Sequence, residues 1–443
     1  MTSDLQTQAT QIVMRRLAPF LALLYAVAYL DRVNVSFAAL QMNRDLGLGA
    51  AAYGFGAGVF FLSYALFEVP SNLVLARVGA RRWIARIMVS WGLVCIAMMF
   101  VRGPAGFYVL RFLLGAAEAG FFPGIIYYLS TWVPREVIGR AVSRMYIGNV
   151  VASGFGGVLA AGLLSLDGLL NLKGWQWLFL VEGLPAIVLG AVVLWWLPDR
   201  PADARWLTPE QRSALGARLE LDRAQRAHTE ELPLLKVLFH RTVWTLGISW
   251  LFATFASYGL QFWLPQIIKS ATGAGDQLTA LLTAAVFVPA IPVMLILGRK
   301  QDDSSGRVLH AVIPAFVAAG SLVAAAWMHA ATGVLVFLAI SVVMTWGRQV
   351  PFWTLPPLPL QGRASAAGIA AVNTIGQFGG FIGPAVVGLA TSASGGFTGP
   401  LLILAAATFV TGLVLLPLRS HPAFVSVRVG EPAMTSARAK LAS

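Results

Sequence analysis

Six long stretches of this chain contain no Asp, Glu, Lys or Arg: residues 46–67, 145–166, 242–268, 277–298, 308–347 and 364–418. A helix needs roughly 20 apolar residues to cross the hydrocarbon layer of a bilayer, so the last two stretches are each long enough to cross twice. A Gly/Ser/Pro cluster at 392–400 splits the last one. The pattern predicts an all-α membrane protein with twelve transmembrane helices, near 17–38, 51–75, 83–101, 104–131, 139–165, 176–197, 241–267, 277–298, 308–328, 331–355, 363–390 and 398–418. Composition agrees with lipid as the solvent. Charged residues make up only 12% of the chain, against about 25% in soluble domains.

The net charge of +13 raises the question of nucleic acid, and the placement of that charge answers it. With the N-terminus inside, the even-numbered loops and both tails hold most of the 32 lysines and arginines. The odd-numbered loops hold Arg44, Arg102, Lys173 and Lys269. Lys/Arg-rich loops face the cytoplasm, which places both termini there and makes the partner a lipid bilayer, with no nucleic acid. Cys95 is the single cysteine and excludes an internal disulfide or a cysteine-cluster metal site. No cleavable signal is expected: the first apolar run lacks a small-residue cleavage site and continues into Asp31–Arg32. A bacterial inner membrane is the expected location.

The one long polar interruption, 198–240, separates six spans from six. The expected units are therefore an N-terminal bundle (1–197), a cytoplasmic central segment (198–240) and a C-terminal bundle with its tail (241–443). Within the central segment, Thr208-Pro209-Glu210 predicts a helix start, Thr as N-cap and Pro at the first helical position. The halves echo one another: Asn149 followed by Phe155-Gly156-Gly157 matches Asn373 followed by Phe378-Gly379-Gly380. The loop 78–82 has a weaker counterpart at 303–307. Two pseudo-symmetric six-helix bundles with a site between them form a recurrent transporter plan.

Charges inside spans are expensive and usually mark a pathway for substrate or protons. Asp31 and Arg32 end an otherwise apolar stretch, and Arg111 and Glu118 share one face of span four, seven residues apart. A carboxylate caught between burial and a nearby arginine can change protonation when that arginine takes another partner. This is a physical basis for linking a proton to an anion; the bland alternative is a set of salt bridges that only lock the helices. Arg32 is the better anion holder, because a guanidinium is always ionised and meets a carboxylate with two parallel hydrogen bonds. Tyr29 and Tyr64 offer hydroxyls, or simply pack. Asn149 and Asn373 offer amides from opposite halves, or bond between helices. Arg348, ahead of Pro351 and of Pro356-Pro357, is either a second cation for a dicarboxylate or a side chain reaching for the membrane boundary. Glu68 and Glu182 read as structural ion-pair partners. No phosphate loop, HExxH or GxSxG motif is present, and the five histidines show no ligand spacing, so neither an enzyme nor a cofactor is expected.

At 30–36 (LDRVNVS), 67–72 (FEVPSN), 111–124 (RFLLGAAEAGFFPG), Phe352-Trp353, Trp175-Gln176-Trp177 and 197–201 (LPDRP) the chain resembles the major facilitator superfamily, and within it the anion:cation symporters of organic acids. The resemblance implies proton-coupled uptake of a small carboxylate, such as tartrate, a sugar acid or phthalate, by alternating access in a monomer. It implies proton coupling at Asp31 and Glu118 and substrate contacts at Tyr29, Arg32, Tyr64, Asn149, Trp353 and Asn373; Arg111 and Arg348 join the expected substrate-binding set from their charge within spans, not from the resemblance. It places gating in the paired loops, at Arg77, Arg81, Asp303 and Arg307. Two departures stand out: Ala76 replaces the acidic residue of the superfamily's loop motif, and Arg348 is not a general feature of the family. An exchanger or uniporter on the same fold is the main rival; a membrane-embedded enzyme or a passive channel fits the paired charges and the repeat less well.

Overall fold

The structure, a computed structural model, describes residues 2–227, 239–299, 307–356 and 362–420. Every regular element among them is helical. The first half comprises α1 (Thr2–Asp45), α2 (Ala50–Val78), α3 (Ala80–Ala97), α4 (Pro104–Glu118), α5 (Phe121–Ser130), α6 (Arg135–Leu164) and α7 (Gly174–Trp196), followed by α8 (Pro209–Ala227) in the central segment. The second half comprises α9 (Arg241–Thr272), α10 (Asp276–Phe287), α11 (Ala290–Arg299), α12 (Arg307–Trp327), α13 (Ala331–Gly347), α14 (Gln349–Trp353), α15 (Gly362–Ser394) and α16 (Thr398–Leu415). Eleven segments of the described residues are long and apolar enough to cross a membrane, and Val151–Leu164 within α6 is a shorter apolar stretch. The chain therefore has the all-helical, multi-span architecture its charge-free runs predict.

Three predicted spans are interrupted, each for the same reason. A proline lacks the N–H that would bond to the carbonyl four residues back. Pro123 follows the break between α4 and α5, Pro289 lies within the break between α10 and α11, and Pro351 follows the break between α13 and α14. Only the last of these is anticipated from the sequence. The first is sharpened by Gly120, which takes a left-handed φ of 84° and is pressed against Ser71; a Cβ there would collide with that side chain. Glu118 is consequently the final residue of a helix and not the middle of one.

The central helix begins where expected. The Thr208 N–H donates to Gln211 Oε1 (3.1 Å) and the Gln211 N–H donates to Thr208 Oγ1 (3.3 Å), a reciprocal cap. It does not lie free on the membrane surface. Leu215 and Leu219 are buried, as are Ala9 and Val13 on the long N-terminal extension of α1, against which α8 packs. Arg16 lies over the rings of Trp196 and Trp206, and Trp206 stacks on Trp132. The central segment is thereby fastened to the first half.

Between the halves, tight contacts among the described residues gather at the end opposite the N-terminus. Asn43 donates to Gln266 (3.5 Å), and the Tyr53 hydroxyl donates to the Phe262 carbonyl (2.8 Å). Gly54 and Gly58 of α2 lie so close to the backbone of α15 at Pro384, Gly388 and Phe381 that a Cβ at either would overlap it. Small residues at four-residue spacing let membrane helices touch backbone to backbone. This end of the interface is shut.

Candidate functional site

Below that seal a cavity with about 940 Å³ of empty space, counting what opens to solvent, lies between the halves. Of the predicted site residues, Tyr29, Arg32, Tyr64, Asn149 and Asn373 line it. The repeat-related asparagines thus meet at one void, one from each half. Tyr25, Tyr29 and Arg32 occupy one face of α1 at four- and three-residue spacing. That stripe puts aromatic hydroxyls and a guanidinium on the same wall.

Arg32 is the pivot. Its Nη2 donates to Glu118 Oε1 in a close, buried ion pair, and Nη1 reaches the Tyr258 hydroxyl at 3.5 Å across the cavity. The Phe60 and Tyr64 rings each lie 5.4 Å from its guanidinium carbon, a cation–π cradle. Its Nε has no partner among the described residues. The arginine is therefore anchored by a carboxylate and retains donor capacity for an anion.

The other charges lie behind the cavity wall. Glu118 is buried and ends α4 at the helix break. Arg111, on the same face, does not pair with it. The Arg111 guanidinium instead donates to the carbonyls of Gly56 (3.3 Å) and Ala57 (3.0 Å) in α2, with Phe60 and Phe262 rings alongside. Asp31 turns away from Arg32, its neighbour in sequence, and accepts from Asn34 Nδ2 at 3.2 Å. Adjacent helical positions point about 100° apart, so only one of the two can face the cavity. An Asp31–Arg32 salt bridge is absent among the described residues.

The second half supplies uncharged groups. Tyr29 donates to Gln261 Oε1 (2.9 Å), and Asn373 Nδ2 donates to Glu68 Oε1 (3.3 Å), both bonds crossing between halves. Glu68 is thus a cross-interface acceptor with no ion pair among the described residues. Tyr258, Gln261, Trp346, Gln349 and Gln377 also line the cavity. Gln261 and Gln377 are not singled out by the sequence, although Gln377 sits four residues, one turn, after Asn373. Arg348 and Trp353 are not in the lining. Arg348 is buried, 5.9 Å from the Phe352 ring, with Nε and Nη2 unpartnered among the described residues. Trp353 packs edge-on to Trp250 (4.9 Å), and Trp250 itself faces the cavity.

Of the expected gating residues, Arg77 is exposed, and Arg81 pairs with Asp199 at 3.2 Å while also reaching the Leu194 carbonyl at 3.4 Å. One Arg81 contact stays within the first half and the other reaches the start of the central segment; neither touches the second half. Asp303 lies outside the described residues, as does the side chain of Arg307. No cluster of three or more His, Cys, Asp or Glu among the described residues is arranged to hold a metal.

Two helical bundles enclosing a polar, partly charged void define a membrane carrier. The chain belongs to the Major Facilitator Superfamily, whose family profile it matches over residues 21–384. It is 41% identical over 428 residues to a provisionally named tartrate transporter of Agrobacterium vitis, covering 96% of this chain and 95% of that one. A quinolone resistance transporter of Acinetobacter baumannii is 39% identical, with 93% and 95% covered. A provisionally named metabolite transport protein of Pseudomonas putida, NicT, is 37% identical, with 91% and 92% covered. Among solved structures, a D-xylose–proton symporter superposes with a TM-score of 0.71 at 16% identity, covering 91% of this chain and 97% of that one. The chain is a transporter and not an enzyme.

Proposed function

We propose that this chain is a proton-coupled symporter that takes up a small organic carboxylate of the tartrate, sugar-acid or phthalate type by alternating access. It would work as a monomer in the inner membrane with both termini cytoplasmic. The observation that carries the reading is Arg32, which faces the void while its guanidinium is held from behind by Glu118. A substrate carboxylate arriving at Arg32 competes with Glu118 for the same donors. A carboxylate that loses its cation in a buried site is costly as an anion, and taking up a proton removes that cost. Anion and proton are then loaded together. The amides of Asn149 and Asn373 and the hydroxyls of Tyr29 and Tyr64 are suited to the substrate's hydroxyls or ring. The tartrate transporter name of one relative supports the carboxylate class, and the basic even-numbered loops support the orientation.

The test is uptake into proteoliposomes under an imposed pH gradient, with labelled tartrate, a hexonate and phthalate as probes. Wild-type protein should accumulate one of them uphill, and Glu118→Gln should lose that accumulation. Uphill uptake by Glu118→Gln equal to wild type would remove Glu118 from coupling. Wild-type uptake indifferent to collapse of the pH gradient would identify an exchanger or uniporter instead.

A further inference from the structure

Two buried glutamates that the sequence reads as ion-pair partners form no ion pair among the described residues. Glu182, on α7, leaves its Oε2 without a hydrogen-bond partner there. Glu68, on α2, differs, because it holds a group of the other half. It lies one turn beyond Tyr64 on the same helical face, just outside the cavity lining, and is buried. Asn72, a further turn along, donates from Nδ2 to the Glu68 backbone carbonyl at 2.8 Å. Glu68 Oε1 accepts from Asn373 Nδ2 at 3.3 Å, and Asn373 does line the void.

An amide carries a donor side and an acceptor side, and either can be turned toward a ligand. A carboxylate only accepts, so it takes the donor side. With Nδ2 committed to Glu68, Asn373 keeps Oδ1, which has no partner among the described residues. Gln261, on α9, is set the opposite way: Tyr29 donates to its Oε1 at 2.9 Å, and its Nε2 is left unpartnered there. Both amides belong to the second half, and each is turned by a side chain of the first. Asn149, lining the same void, holds one more acceptor, since its Oδ1 is also unpartnered. A substrate carboxylate can meet the donors of Arg32 and Gln261, but it has nothing to give Asn373 Oδ1. A hydroxyl does.

We propose that Glu68 is a positioning residue that sets specificity. By holding the donor side of the Asn373 amide, it leaves an acceptor at the void and makes the carrier select carboxylates that bear a hydroxyl. This selectivity rests on the carboxylate reading above and narrows it, ranking hydroxy acids ahead of phthalate; it is independent of proton coupling. Glu68 acts through Asn373, and their bond joins α2 to α15. The amide is therefore oriented for as long as those two helices keep the arrangement seen here.

Titration calorimetry on the purified carrier tests this, with tartrate, malate and succinate as probes: the same four-carbon diacid with two, one and no hydroxyls. Wild-type protein should bind tartrate roughly tenfold or more tightly than succinate, with malate between, because a site built to bond a hydroxyl rejects the analogue lacking it. Glu68→Gln keeps the shape but offers Asn373 a donor as well as an acceptor, so the amide is free to turn. Its preference for tartrate over succinate should fall to about threefold or less. A ratio taken within one variant does not depend on how much of the protein is folded. Exchanging the pair, Glu68→Gln with Asn373→Asp, puts the donor on α2 and returns an oxygen to the void with the same total charge; most of the preference should return. An unchanged tartrate-to-succinate ratio in Glu68→Gln, even with every acid bound more tightly for the loss of a negative charge, would overturn the proposal. An exchanged pair no more selective than Glu68→Gln alone would do the same. Wild-type protein that binds tartrate no better than succinate overturns it and leaves the carboxylate reading in place, whereas binding of none of the three acids overturns both. The expected ratios in a carrier whose uptake ignores a collapsed pH gradient would sink the symport reading and leave Glu68 in this role.

Discussion

The two walls of the cavity are built from different chemistry. The first half brings Arg32 with Glu118 behind it, and Asp31, Arg111 and Glu182 deeper still; the second brings Tyr258, Gln261, Gln349, Asn373 and Gln377, with no ionised side chain in the lining. A fixed charge gives affinity and couples to protons, whereas neutral donors and acceptors discriminate shape and hydroxyl pattern. On the proposed function, the first half would anchor the anion and the second would read the remainder of the molecule. In an alternating-access cycle of rocking halves, a substrate that bridges both walls would link anchoring to reading.

Removing the anchor should produce the largest effect. Arg32→Ala leaves Glu118 buried without its cation, a change worth about 3–5 kcal/mol, which corresponds to a loss on the order of 100-fold or more in uptake at fixed substrate concentration. Arg32→Lys should recover little, because an ammonium lacks the two parallel donors of a guanidinium. Initial rates in proteoliposomes decide this. Rates within threefold of wild type for the lysine variant would show that a point charge suffices and would undo the division between anchoring and reading walls.

Next in size is the seal. Gly58→Leu puts a branched side chain where α2 meets the α15 backbone at Phe381, so the shut end can no longer close in the same way. Overpacking of this kind costs about 1–3 kcal/mol, enough to favour the opposite-facing state about tenfold or more. A cysteine placed on the seal should then become reactive to a membrane-impermeant reagent. No change in labelling would mean that the halves part elsewhere.

The anchoring wall is more legible in the sequence than the reading wall. Ionised residues inside apolar runs announce themselves, and Arg32 and Glu118 do share one site. Their pairing is not readable: Arg111 lies on the same helical face as Glu118, yet the partner comes from α1, a contact that depends on how helices cross. The helix break after Glu118 has a local signal in Gly120 and Pro123 that a hydropathy reading smooths over. Gln261 and Gln377 are invisible because an amide in a span is equally at home between helices. Only the fold tells which amides face a void.

A smaller, selective effect is expected on the reading wall. Gln261→Leu strands the Tyr29 hydroxyl, and Asn373→Leu strands Glu68 Oε1; each loss is about 1–3 kcal/mol for the group left unpaired. Uptake of a hydroxylated acid such as tartrate should fall roughly tenfold, and phthalate, which lacks hydroxyls, should suffer less. Equal losses for both acids would place discrimination on the first half. Arg348 supplies a control, since its side chain is set back from the lining: Arg348→Ala should reduce mono- and dicarboxylate uptake alike. A selective dicarboxylate loss would show that Arg348 enters the cavity in another state of the cycle and gives the reading wall a charge after all.

The smallest effect belongs to the loop ahead of α3. Arg81 and Asp199 are both about one-third exposed, and exposed ion pairs contribute about 0–1 kcal/mol. Arg81 belongs to the first half and Asp199 to the start of the central segment fastened to it, so a rocking motion of the halves would carry the pair as one piece. Asp199→Asn should therefore change uptake by less than about threefold and shift thermal stability only slightly, with the difference vanishing at high salt as screening removes it. A larger, salt-resistant loss would mean that Asp199 meets the second half during transport. The first half's charges would then govern the gate as well as the anion.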